Sequence, residues 1–414
     1  MVGKKKFIVP LVCVVILLAV GCSYHFYLQG INKTKQDNMV KKNVAEKKKD
    51  IQSKKSSNNN EGLKKDNAIV IKSEETPINK DKIQKIHAQF KDGICWIQSA
   101  IDENGIILGA TQFDINNVQK LLLYDIENKK SEFLYNTEPK WSIGQAKINS
   151  SYIIWEETIP QDSEFTPTRV KFMDRKTRKV TKLYENMKYG MYDSFIDLCL
   201  SDKAAYWSMT YHENDKANLC IMKYDPATDK ITKFKDTATE PDTNGKDFYY
   251  IAPESVASQR DTIFKENLST GSQNKIETEI QPAKISVSGN DFVFSGIIND
   301  DTAKVSSKSL YFNKNNKVYE IYSSNKEDAF DFPEFNGKFI GWGGTDKLRL
   351  FSVDNNKTYI LTDKFANYTD VKMSKNYAIW NGPVIEDENE AQKDAVKRGM
   401  YDSYIYILDL NDVK

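Results

Sequence analysis

Seven times along the chain a short apolar strand closes on an aromatic residue. The copies are Ile94-Cys95-Trp96, Ile153-Ile154-Trp155, Ala205-Tyr206-Trp207, Phe248-Tyr249-Tyr250, Phe292-Val293-Phe294, Ile340-Gly341-Trp342 and Ala378-Ile379-Trp380. Their aromatic anchors lie 59, 52, 43, 44, 48 and 38 residues apart. A later strand of each unit also recurs, as in Leu122-Leu123-Tyr124-Asp125, Phe172-Met173-Asp174, Met222-Lys223-Tyr224-Asp225 and Tyr406-Ile407-Leu408-Asp409. Each copy opens a polar turn, whose Asn, Asp and Gly residues tolerate turn backbone and bond it. Strands rich in Ile, Val, Tyr and Phe fit a sheet packed on both faces. A period this long matches one four-stranded blade, and a blade cannot bury both faces alone. The chain is therefore expected to be all-β, a seven-bladed β-propeller, with six or eight blades as alternatives because the first strand of the fourth unit, around 238–245, is weakly marked.

In the second unit the four strands fall at 143–148, 152–156, 170–174 and 180–184, which places each aromatic anchor in a second strand. The seventh unit ends after its third strand and needs a partner. The apolar run 68–72 has no unit of its own and is expected to pair with 404–410, sealing the ring. The strand 83–90, containing His87, is read as an innermost strand.

Short turns such as Ser201-Asp202-Lys203, Ser288-Gly289-Asn290, Asn336-Gly337-Lys338 and Ser374-Lys375-Asn376 precede the aromatic-ended strands. With Tyr124-Asp125 and Tyr224-Asp225 they resemble the repeats of TolB-like bacterial β-propellers over roughly residues 68–414. The Pro-Asp-Gly turn usual in that family is absent. The resemblance implies a periplasmic or surface protein.

The near-neutral total charge of +1 hides an asymmetry. Residues 1–6 form a stub with three lysines, and residues 7–28 are uncharged for 22 residues, enough to span a bilayer. Two readings stay open: a signal anchor, or a lipoprotein signal ending at Cys22 in Ala19-Val20-Gly21-Cys22-Ser23. Residues 31–67 hold eleven lysines against five acids and almost nothing apolar. Such a segment cannot offset its ordering entropy and is expected to be a disordered linker, reaching about 35 Å. The first 66 residues carry +9 and the remainder −8. Both readings tie residues 68–414 to the cell membrane on its extracytoplasmic side, and the Lys/Asn bias suggests a low-GC Gram-positive source.

Three cysteines in the domain (Cys95, Cys199, Cys220) make no disulfide framework and read as small buried apolar residues. Two histidines, His87 and His212, fall in a strand and a polar loop, and no hydrolase, nucleotide or metal motif occurs. No cofactor or metal is expected, and an acidic domain outside the cell excludes nucleic acid. Candidate contacts come instead from the long loops, placed near 98–119, 157–168, 208–218, 296–307 and 381–403, which a propeller gathers on one face. That face is expected to be acidic, with Asp102, Glu103, Asp162, Glu164, Glu213, Asp215, Asp300, Asp301 and the run Glu386-Asp387-Glu388-Asn389-Glu390. Trp141 stands outside the repeat and is the tryptophan most open to an exposed role. A near-duplicate peptide places Tyr192-Asp193 and Tyr401-Asp402 on the same face.

The candidate ligand-binding residues are thus Trp141, Tyr192, Asp193, Glu386, Glu388, Tyr401 and Asp402. The expected function is a monomeric, membrane-tethered, non-enzymatic module that binds a protein, peptide or cell-wall polymer. The alternative is a cell-envelope glycan hydrolase or lyase with facing carboxylates in the central funnel, one with a raised pKa.

Overall fold

The computed structural model describes residues 68–91, 93–160, 167–186, 196–213, 216–254, 261–276, 280–300, 305–324, 332–344, 347–363, 370–385, 390 and 402–413. The signal segment, Cys22 and the linker lie outside them, as do Tyr192, Asp193, Glu386, Glu388 and Tyr401.

Seven antiparallel sheets follow one another along the chain. Blade 1 runs Trp96–Ile101, Ile106–Thr111, Lys120–Asp125 and Lys130–Asn136 from its innermost to its outermost strand. Blade 2 follows as Ser142–Ile148, Tyr152–Thr158, Thr168–Asp174 and Val180–Asn186, and blade 3 as Leu198–Leu200, Ala205–Glu213, Lys216–Asp225 and Lys230–Asp236. Blade 4 holds Thr239–Thr243, Asp247–Pro253, Asp261–Asn267 and Gln273–Ile276; blade 5 holds Gln281–Ser288, Asp291–Asp300, Val305–Lys314 and Lys317–Ser324. Blade 6 holds Glu334–Phe335, Phe339–Gly343, Leu348–Ser352 and Lys357–Thr362. Blade 7 holds Lys372–Met373, Tyr377–Pro383 and Ser403–Asp409, and its fourth strand is Ile83–His87 from the start of the domain.

Seven apolar clusters fill the seven wedges between neighbouring blades. The wedge between blades 7 and 1 joins Ile379, Ile405 and Ile407 to Trp96, Ile107 and Leu122, so the ring is closed. The repeated anchors are the wedge fillers: Trp155, Trp207, Phe294, Trp342 and Trp380 are all fully buried. A second set of ties runs along the face of the short turns. Asn149 Oδ1 accepts from the N–H groups of Ser151 and Tyr152, while its Nδ2 donates 3.2 Å to the Ser201 carbonyl of the next blade. Asn336 repeats the arrangement toward Ser374, and Asn376 reaches the Glu103 carbonyl of blade 1. One side chain thus caps its own turn and holds the neighbouring one.

The expected sealing strand is wrong. Ile69–Val70 pairs parallel to the outer strand of blade 5, at Tyr319 and Glu320, and Glu75–Pro77 pairs parallel to the outer strand of blade 6. The chain therefore runs as a strap around two rims before Ile83–His87 closes blade 7 against Tyr404–Leu408. The reason is burial on two faces. Ile83 packs into the wedge of blades 6 and 7 and Ile86 into that of blades 7 and 1. Ile69 and Val70 stay 51% and 60% exposed. His87 accordingly lies in an outermost strand, not an innermost one.

Blade 1 also departs from the expected phase. Trp96 opens its innermost strand, and its ring lies over Gly109 of the second strand, where a Cβ would come within 2.5 Å of it. The region 98–119 is therefore two strands rather than one long loop. Its Asp102-Glu103 turn sits on the short-turn face, where Arg175 Nη1 donates 2.7 Å to the buried Asp102.

Replacing the buried face of the closing strand should cost far more than replacing the strap. Ile86→Asp is expected to lower unfolding free energy by about 2–4 kcal/mol. Val70→Asp should change it by less than about 0.5 kcal/mol. Urea titration of both variants checks this, and equal losses would count against closure by Ile83–His87.

Candidate functional site in the central channel

Innermost strands line the central channel of a propeller, and their side chains reach it from one end to the other. Four of them break register with the second strand: at Gln98/Ala100, Ile143/Ala146, Thr239/Asp242 and Pro282/Lys284. Such bulges re-aim side chains. At the fourth-blade bulge Glu240 has φ +52°, a left-handed backbone that costs a β-carbon residue about 1–3 kcal/mol.

The consequence is a charged group contributed by three successive blades. Lys284 Nζ of blade 5 donates 2.8 Å to Asp197 Oδ1, just before the first strand of blade 3, and also to Glu240 Oε1 of blade 4. Asp197 further accepts 2.9 Å from the Ser208 hydroxyl, whose oxygen in turn accepts from the Asp197 N–H. The three charged side chains keep between 14% and 20% of their exposure. Burial would raise both carboxyls. Lys284 and Ser208 hold Asp197 below the usual range nonetheless, whereas burial and the Asp197 charge push Glu240 well above it. Asp197 is therefore the more acidic of the two carboxyls.

A second tier comes from the innermost strands of blades 2, 4 and 6. Lys147 stands 3.6 Å from Glu334, and its ammonium is favoured by that carboxylate and by Asp242. Burial lifts Asp242 to about 6 despite Lys147 and two backbone N–H groups, those of Thr243 and Val287, which it accepts. Lys147 keeps 46% of its exposure, so this pair is partly screened. Burial keeps the Cys199 thiol of blade 3 protonated.

Glu156 differs from all of these. It is 7% exposed and follows the aromatic anchor Trp155 on the second strand of blade 2. Its carboxyl lies over Gly144 in the bulge of the innermost strand, where a Cβ would stand 2.9 Å from Oε2. Burial, aided by the Asp197 charge and opposed by the Gln145 N–H, pushes its pKa up to about 8. Among the described residues no cation pairs with it. The position after the anchor is polar elsewhere too: Ser208 bonds Asp197 in blade 3, and Asn381 Oδ1 accepts 3.1 Å from Gln98 Nε2 of blade 1. That recurrence was the available sequence signal for the channel, together with the charges inside innermost strands.

Of the loop-based candidates, Trp141 and Asp402 are the two that fall among the described residues. Trp141 is 5% exposed, stacked under the Arg169 guanidinium at 3.9 Å. Arg169 Nε donates to the fully buried Glu157, Nη1 donates 2.9 Å to Glu138, and Trp155 Nε1 also donates to Glu157. Trp141 is thus part of the packing between blades 1 and 2, not an open platform. Asp402 precedes the third strand of blade 7 and accepts 2.6 Å from His87 Nε2, with the Cys95 thiol 4.0 Å away. It ties the closing strand to its neighbour. Among the described residues no three His, Cys, Asp or Glu side chains converge as metal ligands.

No protein-family model and no curated protein sequence matches the chain. Solved structures match its fold. Oligogalacturonate lyase from Vibrio parahaemolyticus superposes with a TM-score of 0.51 at 10% identity, over 83% of this chain and 98% of that one. The β-propeller domain of the Trilobed protease from Pyrococcus furiosus gives 0.48 at 10% identity, over 72% and 97%. The tricorn protease gives 0.46 at 12% identity over 68% of this chain, which spans only 35% of that protein. Likeness at these identities concerns architecture alone; the ring of seven four-stranded blades is itself that of a β-propeller.

Two outcomes follow from this chemistry. Trp141→Ala should destabilise the fold by about 3–5 kcal/mol in denaturant titration, whereas an open ligand platform would tolerate it. For Glu156 the folded pKa lies above the unfolded one, so the folded state holds a proton that the unfolded chain has released between about 4.5 and about 8. Stability therefore falls as pH rises through that window, by at most about 5 kcal/mol. Glu156→Gln should flatten the fall measured between pH 5 and pH 8.5, and an unchanged slope would refute the assignment.

Proposed function

We propose that the protein is an extracytoplasmic, membrane-tethered propeller of TolB-like type that acts as a monomeric binding module for a protein, peptide or cell-wall polymer. The ligand meets the face of the long connections and the end of the channel that opens there. The observation that carries this reading is the convergence of Asp197, Glu240 and Lys284 from three blades on strained, bulged backbone. Stability alone does not call for it, since replacing buried ion pairs by apolar residues is often neutral or stabilising. The long connections supply the variable part of the contact, as loops on rigid scaffolds commonly do.

A specific observation favours a second reading, an envelope glycan hydrolase or lyase. Glu156 is a protonated carboxyl in a slot, and the ionised Asp197 on the next blade acts on it through its charge. A neutral acid beside an ionised carboxylate is the pairing that general acid–base cleavage of a glycoside needs.

Both are tested with purified wall sacculi and isolated wall polymer. In co-sedimentation, Lys284→Met with Glu240→Gln should weaken binding about tenfold or more. Binding unchanged by the double variant, with its thermal unfolding intact, would sink the channel-end contact. Release of new reducing ends or unsaturated sugars by the wild type, abolished in Glu156→Gln, would replace the binding reading with the enzymatic one.

A further inference from the structure

The strap does not lie flat where it passes from the rim of blade 5 to the rim of blade 6. The Ile71 N–H still donates 2.9 Å to the Glu320 carbonyl of blade 5, and Ser73 Oγ already meets Thr358 Oγ1 of blade 6 at 2.6 Å. The chain between them bridges the outer end of the wedge, and a cavity of about 280 Å³ lies between strap and rims. Ile71, Ile321, Tyr322 and Trp342 give it apolar walls. It is reached from solvent, because Val70 is 60% exposed and Lys72 and Ser323 are exposed as well, and all three border it.

Trp342 is 1% exposed, and its indole N–H has no acceptor among the described residues. The equivalent N–H of blade 2, on Trp155, donates 2.8 Å to Glu157 two residues on. Gly344 stands at that place in blade 6 and offers no side-chain acceptor. A buried donor left unmet is costly. Trp207 has an orphaned N–H too, so the donor alone marks nothing. At Trp342 it belongs to the wall of a cavity.

The remaining polar groups favour an acceptor with negative charge. Ser73 and Thr358 spend one hydroxyl proton between them and keep the other. Lys72 forms no ion pair among the described residues. Glu75 is taken up by Lys347 Nζ at 2.6 Å and Arg349 Nε at 2.7 Å, and the Arg349 guanidinium stands 4.8 Å from the Tyr322 ring. With Glu320 included, three cations stand against two carboxylates.

We propose that this cavity binds a small organic carboxylate. Its apolar body, of about ten non-hydrogen atoms, sits against Ile71, Ile321 and Tyr322. Its carboxylate accepts from the Trp342 N–H and meets the charge of Lys72. A carboxylate has two oxygens and only accepts, which suits a wall of donors. The site belongs to the rim, apart from the channel, and does not rest on the channel-end reading.

The test uses the whole folded protein and ligand-observed NMR. The probes are phenylacetate, its neutral amide phenylacetamide and the cation 2-phenylethylammonium, all of nearly one shape. A fragment of this size is expected to bind with a millimolar dissociation constant. Phenylacetate should bind about threefold tighter than the amide, Lys72→Met should remove that difference, and the cation should not bind. Trp342→Phe keeps an aromatic filler without the N–H and should weaken phenylacetate about tenfold. Val70→Trp closes the entrance from an exposed position and should abolish binding; it serves if Trp342→Phe unfolds. Absence of saturable phenylacetate binding up to about 20 mM overturns the site. So does binding that survives Val70→Trp unchanged. Cation binding equal to that of phenylacetate overturns the choice of a carboxylate.

Discussion

The structure depends on apolar packing between blades, because no blade can bury both of its faces. Every sheet offers two surfaces of aromatic and branched side chains, and each surface finds cover only on the next sheet. The arrangement has to return to its start, or one face of the first blade and one of the last would be left in water. Trp96 against Ile379 and Ile405 completes that return. The closing strand Ile83–His87 is chosen by the same constraint, since Ile83 and Ile86 face opposite sides of the sheet and fill a wedge each.

The charged groups buried most deeply in this framework are paired. Glu157 and Arg169 are almost fully buried, yet each finds partners, and Trp141 lies flat against the guanidinium. Removing one member of such a set leaves an uncompensated charge, which is far costlier than never having had the pair. The channel obeys the opposite logic. There the protein keeps two carboxyls, Glu240 and Glu156, whose pKa values burial raises, and a left-handed backbone at Glu240, none of which improves packing. Features that cost stability without improving packing cluster at functional sites in many proteins.

Much of this was readable in the chain. The anchors gave the blade count because a fully buried aromatic recurs wherever a wedge must be filled. The Asn of the short turns was visible as a turn former, although its second role, bonding the next blade, was not. Where the reading failed, two segments were locally equivalent. Residues 68–72 and 83–87 are both short runs with β-branched residues, and only packing on two faces separates them. Blade 1 shifted phase as well: Trp96 looks like every other anchor, but it sits on the innermost strand with its ring over Gly109. Trp141 appeared solitary because its partner, Arg169, lies two strands later in the chain, in the third strand of blade 2.

By itself, then, the amino-acid order determined a closed set of stacked sheets, since strand period, turn chemistry and aromatic spacing are local properties that each blade repeats. The channel was decided only in three dimensions. Asp197, Glu240 and Lys284 are separated by forty residues or more along the chain, and Glu156 and Gly144 belong to different strands. Their proximity, and with it every shift in proton affinity, arises from the radius at which the ring closes and from bulges that no single strand announces.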